Sequence, residues 1–360
     1  MPEIKNTFTQ GKMNKDLDER IVPNGQYRDA VNIQVSTSDS TDIGTAQNIL
    51  GNTIVGNQYS QWDTFGSFEC VGSIADEKND VLYSFVTNFN GSNFDPARSF
   101  IIEYTKAGVM TPVLVDLGNN VLKFELNELI TGINIIDGFL MWTDGKNEPK
   151  KINIQRCKDG TTSFIKHTYL YVDGSFVFDE SGTQVYITEE HITVIKKKPL
   201  KPLSVKINPA ASTDKDPLFE KIFPRFSYRY RYDDGEYSAF APFTDVIFNS
   251  EYPMDQDSGT LYDEKTSYDT KEPYNSGMIN MIESIELYDF VSLEMPKDVT
   301  QIDLLYKQEN STVIYVVEII KSTDTEWSAD GIGGPQSNYK GKFVVKSENI
   351  YAAVPANQLL

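Results

Sequence analysis

The most constraining feature of the sequence is a run in which aromatic and polar side chains alternate. From position 226 to 232 every second residue is Phe or Tyr, and arginine fills most positions between them. Because successive side chains of a β-strand point to opposite faces, this period of two predicts a strand with one buried aromatic face and argues against a helix. The turn-forming residues 233–236 then predict a hairpin whose return strand covers 237–243.

Short strands separated by turn signals recur along the rest of the chain. Asp137 and Gly138 lie between two apolar runs, and Asp-Gly in this setting is a strong signal of a two-residue hairpin turn. An alternating segment at 30–35 predicts a strand that buries Val31, Ile33 and Val35. The other predicted strands are 81–86, 99–104, 111–115, 134–136, 139–142, 151–154, 301–308 and 313–320, with one short helix at 123–130.

Length and composition bound the fold class and the number of domains. The chain has 360 residues, with 20 Tyr, 20 Phe, 23 Gly and 16 Pro, which predicts an all-β protein of two or three domains. Two prolines and four lysines at 196–202 favour an extended, solvated linker, although this basic cluster also suits a phosphate contact. We therefore expect domains at 1–198 and 199–360, the second an immunoglobulin-like or fibronectin-like sandwich with a long polar loop at 249–276.

The residues that carry most enzyme chemistry are scarce. His167 and His191 are the two histidines, and neither has neighbours at metal-ligand spacing. Cys70 and Cys157 are expected to be free thiols, although one disulfide is arithmetically possible. Segment 255–259 begins like a calcium loop but lacks a carboxylate at the twelfth position, so we expect a plain polar loop. The sequence predicts no enzyme, no catalytic, cofactor-binding or metal-binding residue, and no cofactor.

Charge and hydropathy restrict the partners of the chain. Its formal net charge of −19 repels phosphate, which argues against a broad grip on nucleic acid, whereas an acidic channel wall would let DNA slide past. No apolar run approaches the ~20 residues of a membrane span, and the polar N-terminus is not typical of a signal peptide. We expect a soluble protein made in a cytoplasm.

Several segments resemble one family of phage proteins. The match is carried by residues 13–30, which contain the turn Pro23-Asn24-Gly25, and is extended by 32–36 and 44–52. Residues 142–153 are similar to a propeller blade of that family, and 225–238 are similar to its inserted sandwich domain. The family comprises the tail nozzle, muzzle or stabilization proteins of short-tailed bacteriophages, including the crAss-like phages.

The resemblance implies a structural virion protein of the tail, assembled in the host cytoplasm. It implies a partial β-propeller, with an N-terminal arm and blades in 1–198, followed by an inserted sandwich and a return toward the propeller. It also implies a homohexameric ring below the portal that contacts portal-adaptor ring proteins and other tail proteins. Such a ring closes the DNA channel and allows genome ejection. Because similar proteins continue past position 360, we expect this chain to be an N-terminal portion completed by the remainder of the same polypeptide.

Two other functions fit the same residues. Exposed aromatic side chains on a β-scaffold suit sugar stacking, which makes a receptor-binding or glycan-binding tail module the main alternative. A tail-associated glycan hydrolase would need two carboxylates about 5–10 Å apart, and with 52 acidic residues a pair alone carries little information. We further expect acidic residues in 255–269 to face solvent or the channel, and Arg229 and Arg231 to contact a neighbouring copy.

Overall fold

A computed structural model describes residues 10, 12–35, 46–48, 67–89, 97–210, 217–249, 280–348, 352–355 and 358. The chain forms two compact units, Met1–Ser60 and Gln61–Leu360. Strands far outnumber helices in the described residues, so the predicted all-β class is confirmed. Beyond Asn249, the predicted polar loop at 249–276 and the calcium-like segment inside it lie outside the described residues.

The described part of the first unit consists of short strand pairs. β1 (Lys12–Met13) pairs in parallel with β2 (Gln26–Tyr27), and a one-turn 3-10 helix at Glu19–Ile21 lies between them in sequence. β3 (Ile33–Val35) pairs antiparallel with β4 (Ala46–Asn48).

The predicted buried face at 30–35 is wrong at its first position. Val31 is 76% exposed, and the strand begins only at Ile33. Asn32 has a φ of 57°, a left-handed conformation that interrupts the extended backbone. The alternation of side chains therefore cannot continue back to Val31.

The second unit begins with a four-stranded antiparallel meander. Its strands lie side by side in chain order. They are β5 (Glu69–Asp76), β6 (Val81–Thr87), β7 (Arg98–Thr105) and β8 (Met110–Leu117).

A three-stranded antiparallel meander follows, built from β9 (Gly132–Ile136), β10 (Phe139–Thr143) and β11 (Lys150–Asn153). Asp137 and Gly138 both have positive φ, 49° and 82°, as the turn between β9 and β10 requires, so the predicted hairpin is confirmed. The two meanders share one hydrophobic core, in which the rings of Phe85, Phe124 and Trp142 touch.

Three short helices and a small hairpin complete the described secondary structure outside the larger sheets. The helices are α1 (Ile154–Gly160), α2 (Glu189–Ile192) and α3 (Thr325–Ser328). The hairpin joins β12 (Tyr171–Val172) to β13 (Ser175–Phe176).

The predicted helix at 123–130 is wrong. The buried Asp116 carboxylate accepts the N–H groups of Val121 and Leu122 at 2.8 and 2.7 Å, which fixes a turn at this point. Lys123 has a φ of 56°, which a right-handed helix excludes. A side chain to backbone contact thus replaces the helix that the local sequence favours.

The rest of the second unit contains two antiparallel sheets. The first has the order β14-β16-β19, and its strands are β14 (Ser204–Pro209), β16 (Ile282–Ser292) and β19 (Tyr339–Val345). The second has the order β15-β17-β18-β20, and its strands are β15 (Pro224–Tyr232), β17 (Val299–Gln308), β18 (Tyr315–Lys321) and β20 (Ala352–Ala353).

The alternating run forms β15 and supplies one wall of the core between these sheets. Phe226, Tyr228, Tyr230 and Tyr232 are all buried, in one cluster with apolar residues of β16 such as Phe290, so the predicted aromatic face is confirmed. Full burial of one large apolar side chain contributes about 1.5–3 kcal/mol, so this row is a major part of the core.

The predicted return strand at 237–243 is wrong as a regular strand. The segment does run beside β15, but its N–H groups donate to β15 carbonyls only at every third residue. Ser238, Ala241 and Thr244 make these bonds at 2.8–2.9 Å. A strand ladder would use every second residue, so this edge of the sheet is covered by an irregular segment.

Candidate functional site

The meanders and helices at 67–196, here called the first lobe, meet the two sheets at 203–355, here called the second lobe, through opposite charges. We call this cluster the charged junction. The first lobe contributes Lys151, Arg156, His191 and Lys196, and the second contributes Asp233, Asp234, Glu236 and Asp298. The first lobe supplies the basic side chains and the second lobe supplies the carboxylates. Each pair in the cluster therefore joins one lobe to the other.

Local structure places each of these groups. Lys151 lies on β11, and Arg156 lies on α1, whose first turn is capped by the Asn153 side chain accepting the Arg156 N–H at 3.0 Å. The acidic residues Asp233 and Asp234 lie in the turn after β15, where Gly235 has a φ of 82°. A glycine meets that φ without strain, and the turn directs the carboxylates toward the first lobe.

Two lysines form the buried centre of the junction. Lys151 Nζ lies 3.1 Å from Asp234 Oδ2 and 2.5 Å from Glu236 Oε1. Lys196 Nζ lies 3.5 Å from Asp234 Oδ2 and 3.8 Å from Asp298 Oδ2, and these three side chains are at most 2% exposed. The predicted solvated linker is therefore wrong at Lys196, whereas Lys197 and Lys198 are exposed.

Hydrogen bonds extend the contact on both sides of this centre. Arg156 Nη1 donates to Asp233 Oδ2 at 2.5 Å, and the Asp173 N–H donates to the other oxygen of the same carboxylate at 3.4 Å. The Tyr232 hydroxyl donates to the Lys197 carbonyl at 2.5 Å. Separating buried charged groups that are paired in this way is strongly destabilising.

Burial and neighbouring charge move the pKa values of the junction in different directions. Burial raises the pKa of Asp298 to about 6, although Lys196 opposes the shift. Burial also lowers the pKa of His191 to about 3, and Lys196 lowers it further. For Asp234, burial would raise the pKa, but the attraction of Lys196 and Lys151 outweighs it and the pKa is lowered. At neutral pH the Asp234 carboxylate is therefore ionised and His191 is neutral.

His191 has a defined tautomer. Its Nδ1 accepts the Thr188 N–H at 2.9 Å, so the ring proton is on Nε2. Nε2 lies 4.0 Å from Asp298 Oδ1, and neither atom has a hydrogen-bond partner among the described residues. This contact is the least favourable one in the junction. Both polar atoms are buried, and the distance between them is longer than a hydrogen bond.

Arg229 is not available to a neighbouring copy. It is buried inside the second lobe, where its Nε donates to Asp303 Oδ2 at 3.0 Å and its guanidinium stacks 3.8 Å from the Tyr237 ring centre. The predicted neighbour contact is wrong for Arg229. Arg231 is half-buried and donates to Gln301 at 3.1 Å, and its predicted contact with another copy stays a prediction.

The remaining sequence candidates lie apart from the junction. His167 is half-buried and contacts the Ile187 carbonyl, while Cys70 is exposed and Cys157 is buried, with both thiols free. Burial raises the pKa of the Cys157 thiol to about 12, which makes it unreactive at neutral pH. Within the described ranges, no group of three or more His, Cys, Asp or Glu side chains has the arrangement of a metal site. No helix there has the length and hydropathy to span a membrane.

The charged junction could not be predicted from the sequence. Asp234 and Lys151 are more than 80 positions apart, and each belongs to a segment with an ordinary local explanation, a turn and a strand end. Lysine beside proline at 196–202 is typical of a solvated linker. The sequence does show an unusual density of charge at 196–202 and in the turn after β15. Charge density alone does not predict which segments of a chain meet.

Comparison with known proteins gives a family. A family model described as Crassvirus muzzle protein matches residues 3–272, well over half of the chain. A comparison with curated proteins gave no match.

Proposed function

Because the chain belongs to the crassvirus muzzle protein family, we propose that it is one subunit of a homohexameric muzzle ring that lies below the portal. Family membership makes the chain a structural component of the virion tail of a crAss-like phage. The finer proposal is that the ring closes the DNA channel and then allows genome ejection. The observation that carries it is the family match over residues 3–272.

The charged junction supports a mechanical role. A subunit that closes a channel against packaged DNA must transmit force between its parts without separating. Lys196, Asp234 and Asp298 bring three buried charges to the contact between the lobes, and removing one partner of such a set typically costs about 3–5 kcal/mol. The two lobes of one subunit would therefore move together.

The net charge supports passage of DNA rather than storage of it on the protein. A chain with a formal net charge of −19 offers phosphates few attractive contacts over its surface. DNA that passes such a wall is not retained by counterion release, which is the main source of non-specific affinity. We place genomic DNA as a transient occupant of the channel.

The proposed architecture follows the sheets. The meanders β5–β8 and β9–β11 share a core in the way that adjacent propeller blades do, which supports a partial β-propeller in 1–198. Two antiparallel sheets around a second core support an immunoglobulin-like or fibronectin-like sandwich in 199–360. One core ends at Ile192 and the other begins at Leu203, which supports a domain boundary near residue 198.

The proposed partners are further copies of the chain, portal-adaptor ring proteins, other tail proteins and the remainder of the polypeptide. Assembly would take place in the host cytoplasm, and the role needs no catalysis and no cofactor. These proposals follow from the family assignment and from the scarcity of chemistry-bearing residues in the sequence.

Oligomeric state and neighbours in the particle test the proposal. Native mass spectrometry of the chain released gently from virions should give a species of six copies. Cross-linking of intact virions followed by peptide mass spectrometry should link the chain to portal-adaptor ring proteins. A monomer whose cross-links reach only peripheral fibre proteins would contradict the proposed ring.

A further inference from the structure

A concave surface lies in the first lobe, and none of its lining residues belongs to the charged junction. It is a cleft of about 600 Å³ between the end of β8 and the segment 165–189. The side chains relevant to binding are Asn120, Lys166, His167, Tyr169, Tyr186 and Glu189. Its volume is within the range of about 300–1,000 Å³ that is typical of small-molecule sites.

Three rings form the aromatic wall of this cleft. The rings of Tyr169 and Tyr186 stack with their centroids 4.9 Å apart and an angle of 18° between their planes. The His167 ring contacts Tyr186 edge-on, with centroids 5.3 Å apart. Tyr186 is nonetheless 49% exposed, so part of this aromatic surface remains in contact with water.

The wall is held in place by backbone contacts. Tyr169 and Tyr186 face each other in an antiparallel bridge. His167 Nδ1 accepts the Leu117 N–H at 3.1 Å, so Nε2 carries the proton and donates to the Ile187 carbonyl at 3.0 Å. Both ring nitrogens are thus used internally, which fixes the ring as a surface and removes it as a base. A preorganised wall loses little conformational entropy when a ligand binds.

Polar groups surround the aromatic wall. The Glu189 carboxylate is held by Lys150 at 3.4 Å and by Lys123 at 2.5 Å, so its position is fixed. Lys166 and Asn120 are exposed at the same cleft and offer donors and an acceptor. An apolar wall with a few directional polar groups suits a ligand that has one apolar face and several hydroxyl groups.

We propose that this cleft binds a neutral glycan, with a pyranose ring against Tyr186 and its hydroxyl groups toward Lys166, Asn120 and Glu189. The bases of nucleotides also stack on aromatic rings, but a nucleotide carries phosphates, which a chain with a net charge of −19 disfavours. A sugar ring can lie against the same aromatic surface and carries no phosphate charge. The site shares only the short helix α2 with the charged junction, through Glu189 and His191, and it does not depend on the proposed ring.

Binding by the full chain tests the site. The probes are neutral oligosaccharides, namely hexaoses of glucose, mannose, xylose and galactose, measured by saturation-transfer NMR and by calorimetry. At least one should bind, with saturation of the tyrosine protons. Tyr186→Ala should weaken binding about tenfold or more, since one stacking contact to an aromatic side chain is typically of that size. Tyr186→Phe should retain most of it.

Phe178→Ala is the matched control, because Phe178 is a 55% exposed aromatic residue in the same segment that does not line the cleft. It should bind as the parent chain does, and a thermal melt of each variant should match the parent. The proposal is overturned if no probe binds, or if Tyr186→Ala and Phe178→Ala bind equally. It is also overturned if Tyr186→Ala changes only the assembly of copies, which would make this surface a subunit contact.

Discussion

At the scale of single residues, the effect of an ion pair depends on its burial. Arg225 and Arg229 lie on the same strand, β15, and each pairs with one carboxylate of the second lobe. Arg225 and Glu309 are partly exposed, whereas Arg229 and Asp303 are 3% exposed. Exposed pairs contribute about 0–1 kcal/mol, while a buried charge that loses its partner is strongly destabilising.

The first prediction uses this contrast. Arg229→Met should lower the free energy of unfolding by about 3–5 kcal/mol, because it leaves the Asp303 carboxylate buried and unpaired. Arg225→Met should lower it by no more than about 1 kcal/mol. Urea unfolding of both variants measures the difference. The double variant Arg229→Met with Asp303→Leu should recover much of the loss, and equal losses for the two single variants would contradict the account.

The second prediction concerns pH. The pKa of His191 is about 3 in the folded chain and 6.5 in the unfolded one, so the unfolded chain binds its proton first. Stability from this group is therefore lost as pH falls from 6.5 toward 3. Asp298 acts in the opposite sense between pH 6 and 3.8, because its pKa is raised to about 6 in the folded chain.

Urea midpoints between pH 7 and pH 4 separate these two groups. His191→Asn keeps an acceptor for the Thr188 N–H and should reduce the loss of stability on acidification. Asp298→Asn should increase that loss, because the opposing group is removed. Parallel pH profiles for the parent chain and both variants would show that neither group titrates as described.

At the scale of elements, β19 approaches β16 so closely that one glycine is required. Gly341 has a φ of 98°, and a Cβ atom there would lie 2.5 Å from the ring of Phe290, which is fully buried. Gly138 has a similar φ of 82° in the turn between β9 and β10, but the space around it is open. The two positions share the backbone requirement and differ in packing.

The third prediction follows from that difference. Gly138→Ala should be destabilised by about 1 kcal/mol from the backbone alone. Gly341→Ala should be destabilised by about 3 kcal/mol or more, because the Phe290 ring must also move. Thermal unfolding compares the variants, and a Gly341→Ala chain as stable as Gly138→Ala would mean that β19 is loosely packed.

The elements that sequence predicts well are those whose signal is local. The alternation in β15 and the Asp137-Gly138 turn both depend on residues next to each other, and both are confirmed. The helix at 123–130 is wrong because the Asp116 carboxylate, which lies outside the segment, holds the backbone just before it in a turn. The strand at 237–243 is wrong because its N–H groups bond to β15 only at every third residue, a spacing that no local pattern indicates. The α1 helix was missed, since its cap, Asn153, also ends a convincing strand.

The charged junction could not be predicted for the same reason. Its members come from four separate stretches, 151–156, 191–196, 233–236 and Asp298, and no local pattern states that the turn after β15 meets α1 and β11. The domain boundary near residue 198 stays a prediction. High aromatic content fits a glycan-binding module, but composition does not show which rings are exposed. The structure distinguishes buried rings such as Tyr230 from exposed rings such as Tyr186.

At the scale of the whole molecule, the charged junction should make the two lobes unfold together. The fourth prediction is that Lys151→Met combined with Lys196→Met uncouples them, because buried Asp234 loses both partners. Scanning calorimetry should then show two transitions in place of one for these lobes. Lys158→Met removes an ion pair with Glu103 inside the first lobe and should keep a single transition. Equal behaviour of the two variants would contradict a coupling role for the junction.

The position of the chain in the particle tests the central claim most directly. Electron cryomicroscopy of intact virions, with and without packaged DNA, would locate the two β lobes relative to the portal axis. The account predicts a ring of six copies on that axis below the portal, with the charged junction intact within each copy. Density for the chain on peripheral fibres, away from the axis, would contradict it.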